Sequence, residues 1–129
     1  MAIATRILND TPKNCRVHIS GFFTQNVLDD KPVVVLDTAK LKDSPKNIRL
    51  DSLWWLIEEK MGLRLWWKPG YLLLPLESRN SLRFDSPLHS KDFAPPEWDG
   101  KILMSCHDVE SNTTKIKYFN LGMDMEKSQ

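Results

Sequence analysis

The sequence is short of most features that announce a chemistry. Its five glycines form no phosphate-binding loop of the G-x-x-x-x-G-K-[ST] kind. No Gly-x-Ser-x-Gly elbow is present. The three histidines are scattered at positions 18, 89 and 107. Charge of one sign is also lacking: 18 Lys+Arg stand against 17 Asp+Glu, a formal net charge of +1 that gives no electrostatic footprint for nucleic acid or an anionic membrane. No apolar run approaches the roughly 20 residues that span a bilayer. The opening MAIATRILNDTPKNC has no basic-then-apolar leader pattern, so folding in a cytosol is expected. Only two cysteines occur, Cys15 and Cys106, both in strand-like runs where free thiols behave as small buried hydrophobes.

Adjacent strand residues face opposite ways. Cys15 with His18, and Cys106 with His107, therefore make poor metal pairs or catalytic dyads, and no metal or cofactor is expected. Asp29-Asp30 and Glu58-Glu59 are paired carboxylates at turns, where consecutive acids are ordinarily solvated. Arg64, Lys68 and Arg83 are offset by Glu58, Glu59 and Asp85, which weakens a nucleic-acid reading. With none of the catalytic roles filled, a non-enzymatic protein is expected.

The chain does have short alternating segments and frequent turns. Its 129 residues, 41% hydrophobic and 27% charged, suit one globular domain over 1–129 with a core of its own. Turn-rich stretches at 9–14, 28–32, 41–47, 77–81 and 86–100 hold every proline except Pro69 and Pro75. Between them Cys15, Val17 and Ile19, Val33–Leu36, Ile48 and Leu50, Leu72, Leu74 and Leu76, Leu82 and Phe84, and Ile102, Met104 and Cys106 read as strands. In the last run Ile116 and Tyr118 share one face, while Phe119, Leu121, Met123 and Met125 share the other. That change of parity predicts a bulge or sharp twist near Tyr118-Phe119. The fold class is all-β: an antiparallel, jelly-roll-like sandwich of about eight short strands with little helix.

Tryptophan is abundant and concentrated. Four of the five lie in DSLWWLIEEKMGLRLWWKPG, Asp51–Gly70, as Trp54-Trp55 and Trp66-Trp67. A helix competes here, with Leu50, Leu53, Trp54 and Ile57 at helical spacing, Asp51 as N-cap and Gly62 after the end. The aromatic load and the near-continuous apolarity fit a strand better. Leu53, Trp55 and Ile57 would then face one way, and Trp54 and Leu56 the other. EEKMG would turn the chain into Leu63–Trp67 as a hairpin, and Lys68-Pro69-Gly70 would turn it again into Tyr71–Leu76. Each Trp pair must send one ring to each face. The outward rings need a cover: a second layer, the 86–100 loop with Phe93 and Trp98, or a partner. Trp54, Trp66, Phe93, Trp98, Met123 and Met125 are accordingly the candidate partner-binding residues. A sugar-binding platform on the Trp hairpin is the alternative use of such rings.

The order IRLDSLWWLIEE (48–59), GLRLWWK (62–68), LLLPLESRNSLRFD (72–85), WDGKILMSCHD (98–108) and TKIKYFNLGMDMEK (114–127) resembles small structural proteins of tailed bacteriophage particles. The resemblance covers about 48–127 and lies in order and spacing. It implies a multi-copy virion building block, assembled in the bacterial cytoplasm. Such a block would decorate or cement the capsid by binding the major capsid protein, or would belong to the head–tail neck. Residues 1–12 and 123–129 would be tails that bind across joints between subunits.

Overall fold

The computed structural model describes residues 2–58, 61–77, 79–109 and 117–128, with side chains at all of these except 79–87 and 128. Nine strands are present among them: β1 (Ala2–Asp10), β2 (Asn14–Phe23), β3 (Val33–Asp37), β4 (Asn47–Ile57), β5 (Gly62–Lys68), β6 (Tyr71–Glu77), β7 (Arg79–His89), β8 (Lys101–His107) and β9 (Lys117–Ser128). A 3-10 turn at Thr38–Lys40 and a single helical turn, α1 (Ser90–Phe93), are the helical pieces. The strands form two antiparallel sheets, in the orders β1-β2-β9-β4-β7 and β3-β8-β5-β6.

That order is one long hairpin rolled up. Its tip is the turn after Lys68, where Gly70 has a φ of 88°, a conformation open to glycine because it has no Cβ. Moving away from the tip, the partners stay nearly equidistant from it: Leu65 opposite Leu74, Leu53 opposite Leu82, Val34 opposite Leu103, Ile19 opposite Leu121. Winding this ribbon into two layers gives the eight-stranded jelly roll from β2 to β9, and β1 adds a ninth strand beside β2. The all-β sandwich expected from the sequence is the observed fold.

Period two decides what goes inside. Cys15, Val17 and Ile19 of β2, Phe119, Leu121, Met123 and Met125 of β9, and Leu53, Trp55 and Ile57 of β4 point from the first sheet into the core. Leu63, Leu65 and Trp67 of β5 and Ile102, Met104 and Cys106 of β8 meet them from the second. Phe23 stacks on Phe119 with centroids 5.3 Å apart. Trp55 Nε1 donates to Glu77 O at 2.9 Å, so the indole satisfies its polar edge while its rings fill the core. Trp98 meets Trp67 edge-on at 5.1 Å and donates from Nε1 to the carbonyls of Trp67 and Lys101.

Three expectations are corrected. β4 and β5 do not pair as a hairpin: the turn closed by Met61 N–H to Glu58 O carries the chain from one sheet to the other. A short polar connection serves either geometry, and burying Trp55 and Trp67 from opposite layers favours the crossing. Among the described residues, 1–12 and 123–129 are mostly strand rather than free tail. β1 pairs along β2, and β9 lies between β2 and β4 at the middle of its sheet. Finally, β9 runs in unbroken register with β2 from Lys117 to Glu126, so no bulge sits at Tyr118. Among the described residues the register shifts fall instead at Leu8 in β1, Val35 in β3 and Asp51 in β4, and at Trp67 and Leu73 where β5 pairs with β6. Ile116 and the side chains of Leu82 and Phe84 lie outside the described residues.

One buried charge closes the sandwich. Lys127, turned inward at the end of β9, gives its ammonium to the Asp10 carboxylate, to Thr11 O at 2.7 Å and to Lys42 O at 2.9 Å. Burial pushes the Asp10 carboxyl up, but hydrogen bonds from Lys127 and the Lys42 backbone, with both lysine charges, hold it below its ordinary value.

Candidate functional site

The outer face of the five-stranded sheet carries the exposed half of the tryptophan segment. Because β4 alternates, Trp54 and Leu56 point away from the core and remain 46% and 41% exposed. Directly opposite Trp54 on β9 is Gly122. A Cβ there would collide with Nε1 and Cε2 of the indole, so the glycine is the seat on which the ring rests. From β2, His18 stacks on Trp54 with ring centroids 5.6 Å apart and planes 25° from parallel. The imidazole is steadied in turn by Asn120, whose Oδ1 lies 3.1 Å from His18 Nε2.

Further along the same face Leu56 lies opposite Asn120, and Tyr118, 54% exposed, lies beside Glu58, whose N–H donates to Tyr118 O at 3.3 Å. Leu56, Glu58, Tyr118 and Asn120 rim a shallow hollow of about 200 Å³. Phe22 flanks Tyr118 with centroids 6.1 Å apart. The result is an apolar strip, Trp54–Leu56–Tyr118, laid across rigid central strands rather than on loops.

Towards the other end of the face the chemistry turns polar. An open concavity of about 590 Å³ is lined by Asn9, Asn14, Arg16, Asp51, Ser52 and Asp124, with Cys15 and Met125 beneath. Asp124 accepts from Arg16 Nε at 2.6 Å and from Ser52 Oγ at 2.9 Å. Arg49 reaches Asp51 at 2.7 Å and Glu126 at 2.6 Å, and the hydrogen bond to Asp51, followed by both carboxylate charges, raises its affinity for its proton despite some desolvation. The polar end of the face is thus built from two sets of paired groups, Arg16–Asp124–Ser52 and Asp51–Arg49–Glu126.

The opposite sheet hides its outward tryptophan. Trp66 points away from the core but is buried, donating from Nε1 to Ser105 Oγ at 2.9 Å. Ser105 donates on to Asp29 Oδ1 at 2.6 Å, and Arg64 Nη1 meets Asp29 Oδ2 at 2.5 Å. Asp29 comes from the turn that Lys31 N–H closes onto Leu28 O. The Ser105 hydrogen bond, then the Arg64 charge and hydrogen bond, outweigh desolvation and hold the Asp29 carboxyl low. The ring is thus buried within the chain itself, and its polar edge is tied through Ser105 to the 28–31 turn.

Of the residues expected to bind a partner, Trp54 is on the exposed face and Phe93, 56% exposed on α1, is also accessible. Phe93 does not join Trp54, since α1 packs at the start of β4, where Ile48 N–H donates to Ser90 Oγ at 3.0 Å. Trp66, Met123 and Met125 are buried and unavailable, and Trp98 is half-buried on Trp67. His18, Leu56, Tyr118, Asn120 and Gly122 were missed. Their signal was parity: each alternates with a core residue of β2, β4 or β9.

Cys15 and Cys106 are free, buried and on different sheets, and burial first of all pushes both thiols up to about 11. No group of three or more His, Cys, Asp and Glu able to hold a metal ion occurs among the described residues. No family model, no curated protein and no solved structure matches the chain.

Proposed function

We propose that the chain is a non-enzymatic virion structural protein of a tailed bacteriophage, docking on the assembled capsid as a decoration or cement protein. The observation that carries this reading is the Trp54–Leu56–Tyr118 strip. An indole seated on Gly122 and steadied by His18 and Asn120 presents apolar area at little further cost in side-chain ordering, as a binding hot spot requires. Support at the level of the fold comes from the jelly-roll order, an architecture that viral capsid domains and lectins both use. Many symmetric copies multiply a modest contact by avidity. Binding to the assembled state alone stabilises that state by mass action.

The test is co-sedimentation of the purified protein with expanded capsids, and separately with neck complexes, of the phage that encodes it. Binding to capsids with a blue shift of Trp54 emission is expected, and Trp54→Ser should weaken it about tenfold or more. Binding to the neck complex alone would move the protein to the head–tail connection. Binding to neither defeats the reading.

A carbohydrate-binding module is the second reading, favoured by the polar concavity lying next to Trp54 on the same face. Against it, Trp54 offers one exposed indole, partly taken up by His18, where two coplanar exposed rings were required. Calorimetry against a glycan panel separates the two; heat with a sugar that is lost in Trp54→Ser would favour this alternative.

A further inference from the structure

We propose that the chain forms a two-fold dimer by antiparallel pairing of β1 with β1 of a second copy, with Thr5 facing Thr5 on the axis. This joins two five-stranded sheets into one of ten strands, and it does not rest on the capsid reading.

A sheet edge with unpaired N–H and C=O groups is a template for another strand unless it is short, bulged or guarded by proline or charge. The sandwich has four edges, and β1 is the least guarded of them. β6 contains Pro75 and β7 contains Pro87. β3 is five residues long and bulged at Val35. β1, nine residues reading AIATRILND, has no proline or lysine; its bulge falls late, at Leu8, so Ala2–Ile7 is a regular edge whose one charge is Arg6. It also leaves Ile7 42% and Leu8 54% exposed, beside Val34 of the neighbouring edge at 51%. A shallow hollow of about 220 Å³ between the two edges is lined by Thr5, Ile7, Val34–Asp37 and Lys40.

The occupant follows from symmetry, charge and register. Pairing with β2 sets Ile3, Thr5 and Ile7 on the core side and Ala2, Ala4 and Arg6 on the outer side. The bulge at Leu8 reverses that parity, because Asn9 is outward and Asp10 inward. A self-pairing that runs past the bulge would oppose inner residues to outer ones. A pairing centred on Arg6 would set two guanidinium groups face to face. Centring on Thr5 avoids both. Ile7 then meets Ile3 of the second copy, Leu8 meets Ala2, and Arg6 meets Ala4, so the exposed apolar residues are covered and no like charges oppose. The paired stretch, Ala2 to Leu8, is about 24 Å of edge at about 3.4 Å per residue.

This register makes Ala4 a charge probe of the interface, because it is exposed and would face Arg6 twice across the axis. Sedimentation equilibrium of the full chain should show a concentration-dependent dimer. Ala4→Lys should raise the dissociation constant about tenfold, and Ala4→Glu should lower it by a similar factor, with both effects shrinking at high salt. Far-UV circular dichroism of both variants should match the parent. A wild-type chain that stays monomeric at millimolar concentration, or two variants shifted in the same direction, would overturn the proposal.

Discussion

At the scale of single residues, the decisive contacts pair something large with something absent. Trp54 lies flat because Gly122 has no side chain. Gly122→Ala should lift the indole off the sheet. The expected readout is a red-shifted emission, easier quenching by acrylamide, and a loss of about 1 kcal/mol from the lost ring contacts. Lys127 is the opposite case, a charge enclosed by oxygens. Lys127→Met would leave the Asp10 carboxylate and two carbonyls without their cation. Asp10 keeps some exposure to water, so the expected loss is about 3 kcal/mol by urea denaturation, the low end for breaking a buried pair. The faces of Trp54, Trp55, Leu56 and Ile57 were legible in the sequence, because strand alternation needs no partner. The burial of Trp66 was not. The hydrogen-bond chain that satisfies its indole runs through Ser105 to Asp29, 37 positions earlier, and leaves no periodic mark.

At the scale of elements, the strands were easier to read than their partners. Met123 and Met125 were rightly grouped with Phe119 and Leu121, yet only the position of β9 between β2 and β4 shows that this common face is the core. The β4–β5 connection failed as a hairpin for a related reason: local turn chemistry cannot tell a return along the same sheet from a step to the facing one. The β5–β6 turn was legible because Pro-Gly there specifies geometry by itself. Gly70 has open space around it, so only its left-handed backbone resists a side chain. Gly70→Ala should cost about 1 kcal/mol, and Gly70→Asn, a residue that tolerates that conformation, distinctly less; thermal denaturation of the two variants checks the order.

For the whole molecule, acid sensitivity follows from Asp10 and Asp29. Both carboxyls are held below the ordinary aspartate value in the folded state, so each contributes stability above about pH 4. That contribution is lost as pH falls through the lowered folded values, because the unfolded chain takes up the protons first. Urea midpoints should be flat through neutrality and fall below about pH 4. Asp29→Asn should be less stable at neutral pH and show a shallower acid limb.

The central place of β9 has a consequence for synthesis on the ribosome. β2 and β4, its two neighbours, emerge long before residues 117–128 do. Until then the β1–β2 and β4–β7 ribbons have no strand to join them, and their apolar faces wait uncovered. The sandwich therefore closes after β9 has left the exit tunnel, in a late and concerted step rather than strand by strand. Nascent chains arrested before residue 117 should remain protease-sensitive, and resistance should appear abruptly once β9 is clear.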